Sequence, residues 1–308
     1  MRIATRRSPL ARWQAERVAN LLRDLSDPPQ VEVVAVDTSG DRARDVPLDR
    51  IGGQGVFVKD VQAAVLDGRA DLAVHSAKDL PGAETEGLVL AAVPERADRR
   101  DAMVGMSLAE LPTAAIVATG SNRRRAQLAW IRPDLKFVGL RGNIATRLDR
   151  TPRSGAVVVA VAALERLGLE GRATQILEPA DMLPQVGQGA LAVECRADDE
   201  ESTELAREID VAMLHSELSA ERSFLAALGA GCTLPVAASA NVVEGVVTLE
   251  GLMASRDGRI VLRRRAEGSD PVALGRSLAS DLLWRCGGTS LGDWSDDSEI
   301  GADAPRLP

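Results

Sequence analysis

The sequence predicts an α/β protein: two α/β domains with parallel-dominated sheets, followed by a small C-terminal α+β domain. Three observations lead there. Short apolar runs bounded by turn residues alternate with helix-period stretches over the first two-thirds of the chain, the pattern of βα units feeding a parallel sheet. That pattern restarts near Ala114, and after Val236 it gives way to strand-like alternation closed by one helix. With 308 residues and 45% hydrophobic content, the chain is long enough for two or three domains.

Arg2 to Thr5 reads as a strand. Ser8 and Pro9 then supply an N-cap and first helical position for a helix with Leu10, Trp13, Val18, Leu21, Leu22 and Leu25 on one face. Val31 to Val36 is a second strand. The glycine-rich segment Ile51 to Phe57 precedes a helix from about Lys59 to Leu66, and Asp71 to His75 is a third strand running into Ser76-Ala77-Lys78-Asp79-Leu80-Pro81. In the second domain Ala114 to Ala118 is a strand and Gly120-Ser121 a cap for a helix from Asn122 to Ile131. Phe137 to Leu140 and Ala156 to Val161 are strands, the latter running into Ala162 to Leu167. Ala190 to Cys195 is apolar, Glu200 to Leu228 helical, Val236 to Leu252 and Arg259 to Arg264 strand-like, and Leu274 to Trp284 a helix. Ser290 to Pro308 is acidic and turn-rich, the composition of a disordered tail.

Composition excludes several function classes. No run approaches the roughly 20 apolar residues of a membrane-spanning helix, and Met1 leads into strand-like sequence rather than a signal peptide. The expectation is a cytoplasmic chain. Cys195, Cys232 and Cys286 are odd in number and widely spaced, so neither a disulfide framework nor a zinc spacing is available. His75 and His215, far apart, leave no His-rich metal centre. A net charge of −8 and only seven aromatic residues argue against nucleic acid.

That negative net charge hides one cationic region. Between Thr119 and Arg153, nine basic residues stand against Asp134 and Asp149, a local excess of seven. Donors recur at strand ends: Arg6, Arg7 and Ser8; Thr38 and Ser39; Ser76 and Lys78; Thr119, Ser121, Arg123 and Arg124; Arg141. Ligands of open α/β sheets bind at those ends, where helix N-termini favour anions and arginine grips carboxylate or phosphate bidentately. Two such edges facing each other make a cleft for a polyanion. Asp79 is a carboxylate among donors. Either it accepts N–H bonds and offsets developing positive charge, or it belongs to an ordinary Lys-Asp turn before Pro81. His75, inside an apolar strand, reads as structural, as do Cys195 and His215. Cys232 sits in Gly229-Ala230-Gly231-Cys232-Thr233-Leu234-Pro235, where glycines leave a thiol accessible. Gly52-Gly53-Gln54-Gly55 has neither Walker nor dinucleotide spacing and reads as a mobile loop.

Five strings together resemble the porphobilinogen deaminase (hydroxymethylbilane synthase) family over nearly the whole chain to about residue 285. They are Arg2-Ile3-Ala4-Thr5-Arg6-Arg7-Ser8-Pro9-Leu10-Ala11, Val74-His75-Ser76-Ala77-Lys78-Asp79-Leu80-Pro81, Leu140-Arg141-Gly142-Asn143 with Thr146-Arg147-Leu148, Val186-Gly187-Gln188-Gly189-Ala190, and Gly231-Cys232-Thr233-Leu234-Pro235-Val236. The resemblance implies two periplasmic-binding-protein-like domains and a third carrying a cysteine. The expected divisions are 1–93 with about 189–209, 94–188, and 210–289, with 290–308 as tail. It implies a transferase of porphyrin and heme biosynthesis, a monomer, that deaminates four porphobilinogen molecules and joins them into hydroxymethylbilane. In the implied reaction ammonia leaves, an azafulvenium carbon is attacked by the α-carbon of the growing chain, and a proton departs.

The same resemblance makes Cys232 the thioether anchor of a dipyrromethane cofactor and Asp79 the catalytic carboxylate. It puts Lys78, Asp79, Thr119, Ser121, Arg123, Arg124, Arg141 and Arg147 on the cofactor. Arg6, Ser8, Ser76, Arg141, Arg147 and Gln188 fall on the substrate, with Phe57 and Lys59 in a covering loop. The chain departs from the family at Gln54, where lysine is common, at Gly120, where serine is usual, and in Asp210 to His215, which lacks the usual His/Asp-Glu-Thr pattern. The competing reading is a non-catalytic, two-lobed binding protein for a small polyanion.

Overall fold

The computed structural model describes residues 1–38, 58–229 and 234–291. The glycine loop before Val58 with Gln54 and Phe57, the segment around Cys232, and the acidic tail lie outside the described residues.

The first sheet has the order β2-β1-β3-β10-β4, from β1 (Arg2–Arg6), β2 (Glu32–Val36), β3 (Leu72–Ser76), β4 (Leu88–Ala92) and β10 (Leu191–Arg196). β1 pairs in parallel with β2 and β3, while β10 runs antiparallel between β3 and β4. The second sheet repeats the plan in the order β7-β6-β8-β5-β9, from β5 (Asp101–Gly105), β6 (Ile116–Ala118), β7 (Lys136–Val138), β8 (Gly155–Ala160) and β9 (Gln175–Leu177). Its reversed strand is β5, antiparallel to β8 and β9. Each reversed strand is the first one the chain forms on entering that sheet from the other lobe. Both sheets are therefore parallel-dominated, with one inserted antiparallel strand each.

α1 (Pro9–Arg23) starts where Ser8 accepts from the Ala11 amide and Pro9 occupies the first turn. Its buried stripe is Ala11, Gln14, Ala15, Val18, Ala19 and Leu22; of the expected face Val18 and Leu22 are buried and Leu21 and Leu25 pack against the same core, while Trp13 stays on the rim and small alanines let the helix sit close on the sheet. α2 (Lys59–Leu66) and α3 (Asn122–Ile131) have the expected bounds. β4, β5 and β9 were not foreseen. The helical stretch 200–228 is two helices, α6 (Glu200–Arg207) and α7 (Ala212–Ala227). The chain breaks between them because Asp210 turns to accept the Val93 amide at 2.7 Å while its carboxylate meets His215 Nδ1 at 3.0 Å.

The third sheet is the antiparallel meander β11 (Val236–Val243), β12 (Val246–Ala254) and β13 (Val261–Gly268). The run 236–252 is a hairpin that turns at Glu244 and Gly245, both with positive φ. Helix α8 (Pro271–Ser280), capped by Asp270, packs with α7 on this sheet through Phe224, Leu249, Leu274 and Leu278.

The two larger sheets are joined by two chain segments, 93–100 and 178–190. These pair with each other through the Arg96–Ala190 bridge, with Ala97 N donating to Gly189 O at 3.1 Å and Leu191 N to Glu95 O at 2.9 Å. Gly189 has φ +86°, and a Cβ there would lie 2.4 Å from Ala97 O. Only glycine lets the segments approach so closely. Behind them Glu221 of α7, fully buried, accepts from Arg96 Nη2 at 3.0 Å, Gly187 N at 2.7 Å and Ala240 N at 2.8 Å. One carboxylate thus ties both joining segments to the third sheet.

Candidate active site

β3 is apolar through Val74, ends in His75 and Ser76 and then tightens into the 3-10 turn Ala77–Asp79, which brings Lys78 and Asp79 to the carboxyl end of the first sheet. Arg6 at the end of β1, Ser8 at the start of α1, and Ser76 with Asp79 line one pocket together with Gln14 and His75. Ser8 is occupied as the α1 cap, accepting from Ala11 N at 3.3 Å. Gln14, which the sequence reading passed over, is 2% exposed and donates to Ser76 Oγ at 2.7 Å, fixing the hydroxyl that closes β3. It stands nearly two turns past the cap on the buried face, and a glutamine among alanines was the available signal.

From the second sheet, β6 ends at Ala118, and Thr119 and Ser121 follow. Ser121 caps α3 by accepting from the Arg124 amide at 3.4 Å, and Thr119 Oγ1 accepts from Ser121 N at 3.2 Å. A Cβ at Gly120 would stand 2.7 Å from Leu140 O, so glycine permits a close approach of the two strand ends that serine would disturb. Arg123 and Arg124 turn inward. Asp101, fully buried at the start of β5, meets Arg123 Nη2 at 2.8 Å and accepts from Arg124 Nη2 at 2.7 Å and Nε at 3.0 Å. Arg123 also donates to Leu183 O at 2.7 Å, and Arg124 to Val158 O at 2.9 Å. Gln188, fully buried in the joining segment, donates to Asp101 at 3.0 Å and to Arg99 O at 2.7 Å. It stands behind the arginines and is not among the lining residues of the Asp79 pocket. Burial pushes the Asp101 carboxyl up, but the two guanidiniums outweigh this and hold it below the usual carboxylate range. The sequence reading missed Asp101; its only signal is an acid opening an apolar strand.

Arg141 lies just before α4 (Ile144–Asp149), which Asn143 caps by accepting from Thr146 N at 2.9 Å, and Arg147 in its last turn donates Nε to Gly142 O at 2.8 Å. Charges from both lobes act on one another here. Lys78 is pushed down to about 8, first by burial and then by Arg124 and Arg147, against the opposing pull of Asp79 and Asp101. Arg147 is pushed down to about 10 by burial and by Arg124 and Arg141, with Asp79 opposing. Asp79, Lys78, Arg124, Arg141 and Arg147 therefore share one field, in which cations outnumber carboxylates. Such a donor set fits a ligand bearing several carboxylates, whose charge would relieve the repulsion. Among the described residues no cluster of His, Cys, Asp and Glu is suited to a metal.

Comparison with known proteins agrees with this picture. Residues 1–204 match the family model "Porphobilinogen deaminase, dipyromethane cofactor binding domain", and residues 216–284 match "Porphobilinogen deaminase, C-terminal domain". Porphobilinogen deaminase of Brevibacillus brevis is 42% identical over 304 residues, 97% of this chain and 98% of that one. The Roseiflexus sp. protein of the same name is 46% identical over 288 residues, 91% of this chain and 95% of its own. The solved structure of the methionine-binding protein MetQ superposes on 68% of this chain and 89% of its own, with a TM-score of 0.44 at 14% identity. Matched by both family models and by full-length relatives, this chain belongs to the porphobilinogen deaminase family.

Proposed function

We propose that the chain works as a hydroxymethylbilane synthase on a dipyrromethane anchored at Cys232, joining four porphobilinogen molecules head to tail with loss of ammonia. The transferase activity and the dipyrromethane-binding domain follow from the family; the anchor and the residue roles are our reading. The carrying observation is the shared field of Asp79, Lys78, Arg124, Arg141 and Arg147 between the two sheets. The non-catalytic polyanion binder gives way to the family assignment.

In this reading Lys78, Thr119, Ser121, Arg124, Arg141 and Arg147 hold cofactor carboxylates, and Arg123 steadies the cluster from behind through Asp101. Arg6, Ser8 and Ser76 receive the incoming ring, Arg141 and Arg147 hold its acid side chains, and Gln188 supports the pocket from the joining segment. When bound, the dipyrromethane supplies the α-carbon to which the first ring is joined. Asp79 accepts the pyrrole N–H bonds and stabilises the positive charge that grows on the substrate as ammonia leaves, the charge arrangement expected of a preorganised site. We take 1–93 with 189–209, 94–188 and 210–289 as three domains, consistent with β10 lying in the first sheet. A monomeric enzyme is part of the same reading, and so is a cytoplasmic location, with which the free thiols Cys195 and Cys286 are consistent.

The test is the intact mass of the denatured protein with peptide mapping around Cys232. Two linked pyrroles on that residue are expected, and a chain left unmodified after incubation with porphobilinogen would overturn the anchor.

A further inference from the structure

Glu194 interrupts the apolar strand β10 and is 3% exposed. A buried carboxylate is rarely the most stable solution, since well-packed apolar residues often serve as well or better. Its partners suggest another reason for its presence. Gln62 Nε2 of α2 donates to Glu194 Oε2 at 2.8 Å, and His75 Nε2 lies 3.2 Å from the same oxygen, a close polar contact bent away from ideal hydrogen-bond geometry. Thr85 Oγ1 in turn donates to Gln62 Oε1 at 3.2 Å. Burial pushes the Glu194 carboxyl up, but His75, Gln62 and the charge of Arg222 outweigh it, so the group is ionised at neutral pH.

These partners flank Asp79 in the chain. His75 lies in β3 four residues before it and lines the same pocket. Thr85 lies six residues after it, on the segment leading out of the turn toward β4. A single buried carboxylate therefore tethers the backbone on both sides of the Ala77–Asp79 turn, directly on the incoming side and through Gln62 on the outgoing side.

We propose that Glu194 is a positioning residue for Asp79, holding the turn that presents the catalytic carboxylate to the pocket through His75 on one side and Gln62–Thr85 on the other. This rests on the function proposed above. A misplacement of about 1 Å at a reacting group can cost about a hundredfold in rate. Glu194→Gln, which keeps the shape and loses the charge, is therefore expected to lower kcat by about tenfold to a hundredfold with KM unchanged. Thr85→Val, at the less buried end of the network, is expected to lower kcat by a smaller factor with an unchanged urea midpoint.

The decisive comparison uses Asp79→Glu, which already misplaces the carboxylate. In that background Glu194→Gln is expected to cost less than about threefold more, because positions acting through one group are not additive. Parental kcat in both Glu194→Gln and Thr85→Val, or full multiplicative loss in the double variant, would overturn the positioning role. If Glu194→Gln does not fold, Thr85→Val and Gln62→Leu decide the matter by the same kcat-against-KM reading. A parent chain that does not turn over porphobilinogen would instead sink the proposed function itself.

Discussion

Replacing Asp101 by asparagine removes one negative charge from a point where two guanidiniums converge. Asp101 is fully buried, Arg123 is 3% exposed and Arg124 is 6% exposed, so water cannot take over the lost role. One Asp101 oxygen meets Arg123 at 2.8 Å, while the other accepts from Arg124 at 2.7 and 3.0 Å and from Gln188 at 3.0 Å. Asparagine offers one acceptor and turns an NH2 toward a guanidinium. Breaking a buried ion pair by removing one partner costs about 3–5 kcal/mol, mostly from the uncompensated charge left behind. At about 2–4 °C per kcal/mol, the melting temperature should fall by roughly 6 to 20 °C. A urea titration followed by tryptophan emission would register the loss as a lower midpoint at constant slope. The physical cause can be separated from simple loss of attraction with the triple variant Asp101→Leu, Arg123→Met, Arg124→Met. It removes all three charges and should recover much of the stability, because apolar replacement of a whole buried ion cluster is often nearly neutral. A single variant within about 1 kcal/mol of the parent, or a triple variant no more stable than the single one, would refute the reasoning.

The remaining predictions concern the same cleft. Lys78 has a folded value of about 8, below its ordinary 10.5, so between those values the unfolded chain holds more protons and stability rises with pH; Lys78→Met should flatten that part of a stability–pH curve. Asp101 is also lowered, but for a carboxylate this stabilises the ionised form, so its contribution is fully present above about pH 4 and is lost as acid protonates the folded state; Asp101→Asn should therefore weaken the fall in stability below that pH. Gly187 has φ +69°, and a Cβ there would lie 2.8 Å from Ala77 C and 2.9 Å from Lys78 N, so Gly187→Ala should press on the Asp79 turn and reduce kcat more than its unfolding midpoint. Asp79→Asn should fold like the parent and stop turnover, read as ammonia release, and a variant at normal rate would remove Asp79 from the mechanism.

Much of the fold could be read from local pattern. α2 and α3 have the bounds read from the sequence, α3 starting at its Ser121 cap, and the first three strands shift by one residue at most. These elements carry their signals within a few residues. β4, β5 and β9 escaped because each follows or precedes proline- and charge-rich sequence and gains strand identity only by pairing with distant partners. Leu88–Ala92 pairs with β10 and Asp101–Gly105 with β8 and β9. The stretch 200–228 is helical as read, but its break was not legible for a similar reason, since Asp210 leaves the helix to reach Val93, a residue more than a hundred positions earlier.

At the site the same division holds. Donors gathered at strand ends, an acid after Lys78 and a thiol among glycines are features of composition and spacing, and they point to a polyanion before any coordinate is known. The alternation of apolar and polar residues is written in the chain, and with it the sheets, the caps and the chemistry available at strand ends. Which charges meet is set by folding: Arg123 and Arg124 turn onto Asp101, Glu194 reaches His75 and Gln62, and Lys78 and Arg147 share one field across two lobes. The physical reason is that periodicity is set within a turn or a strand, whereas a charge's partner and its exclusion from water depend on residues the fold brings together from far along the chain.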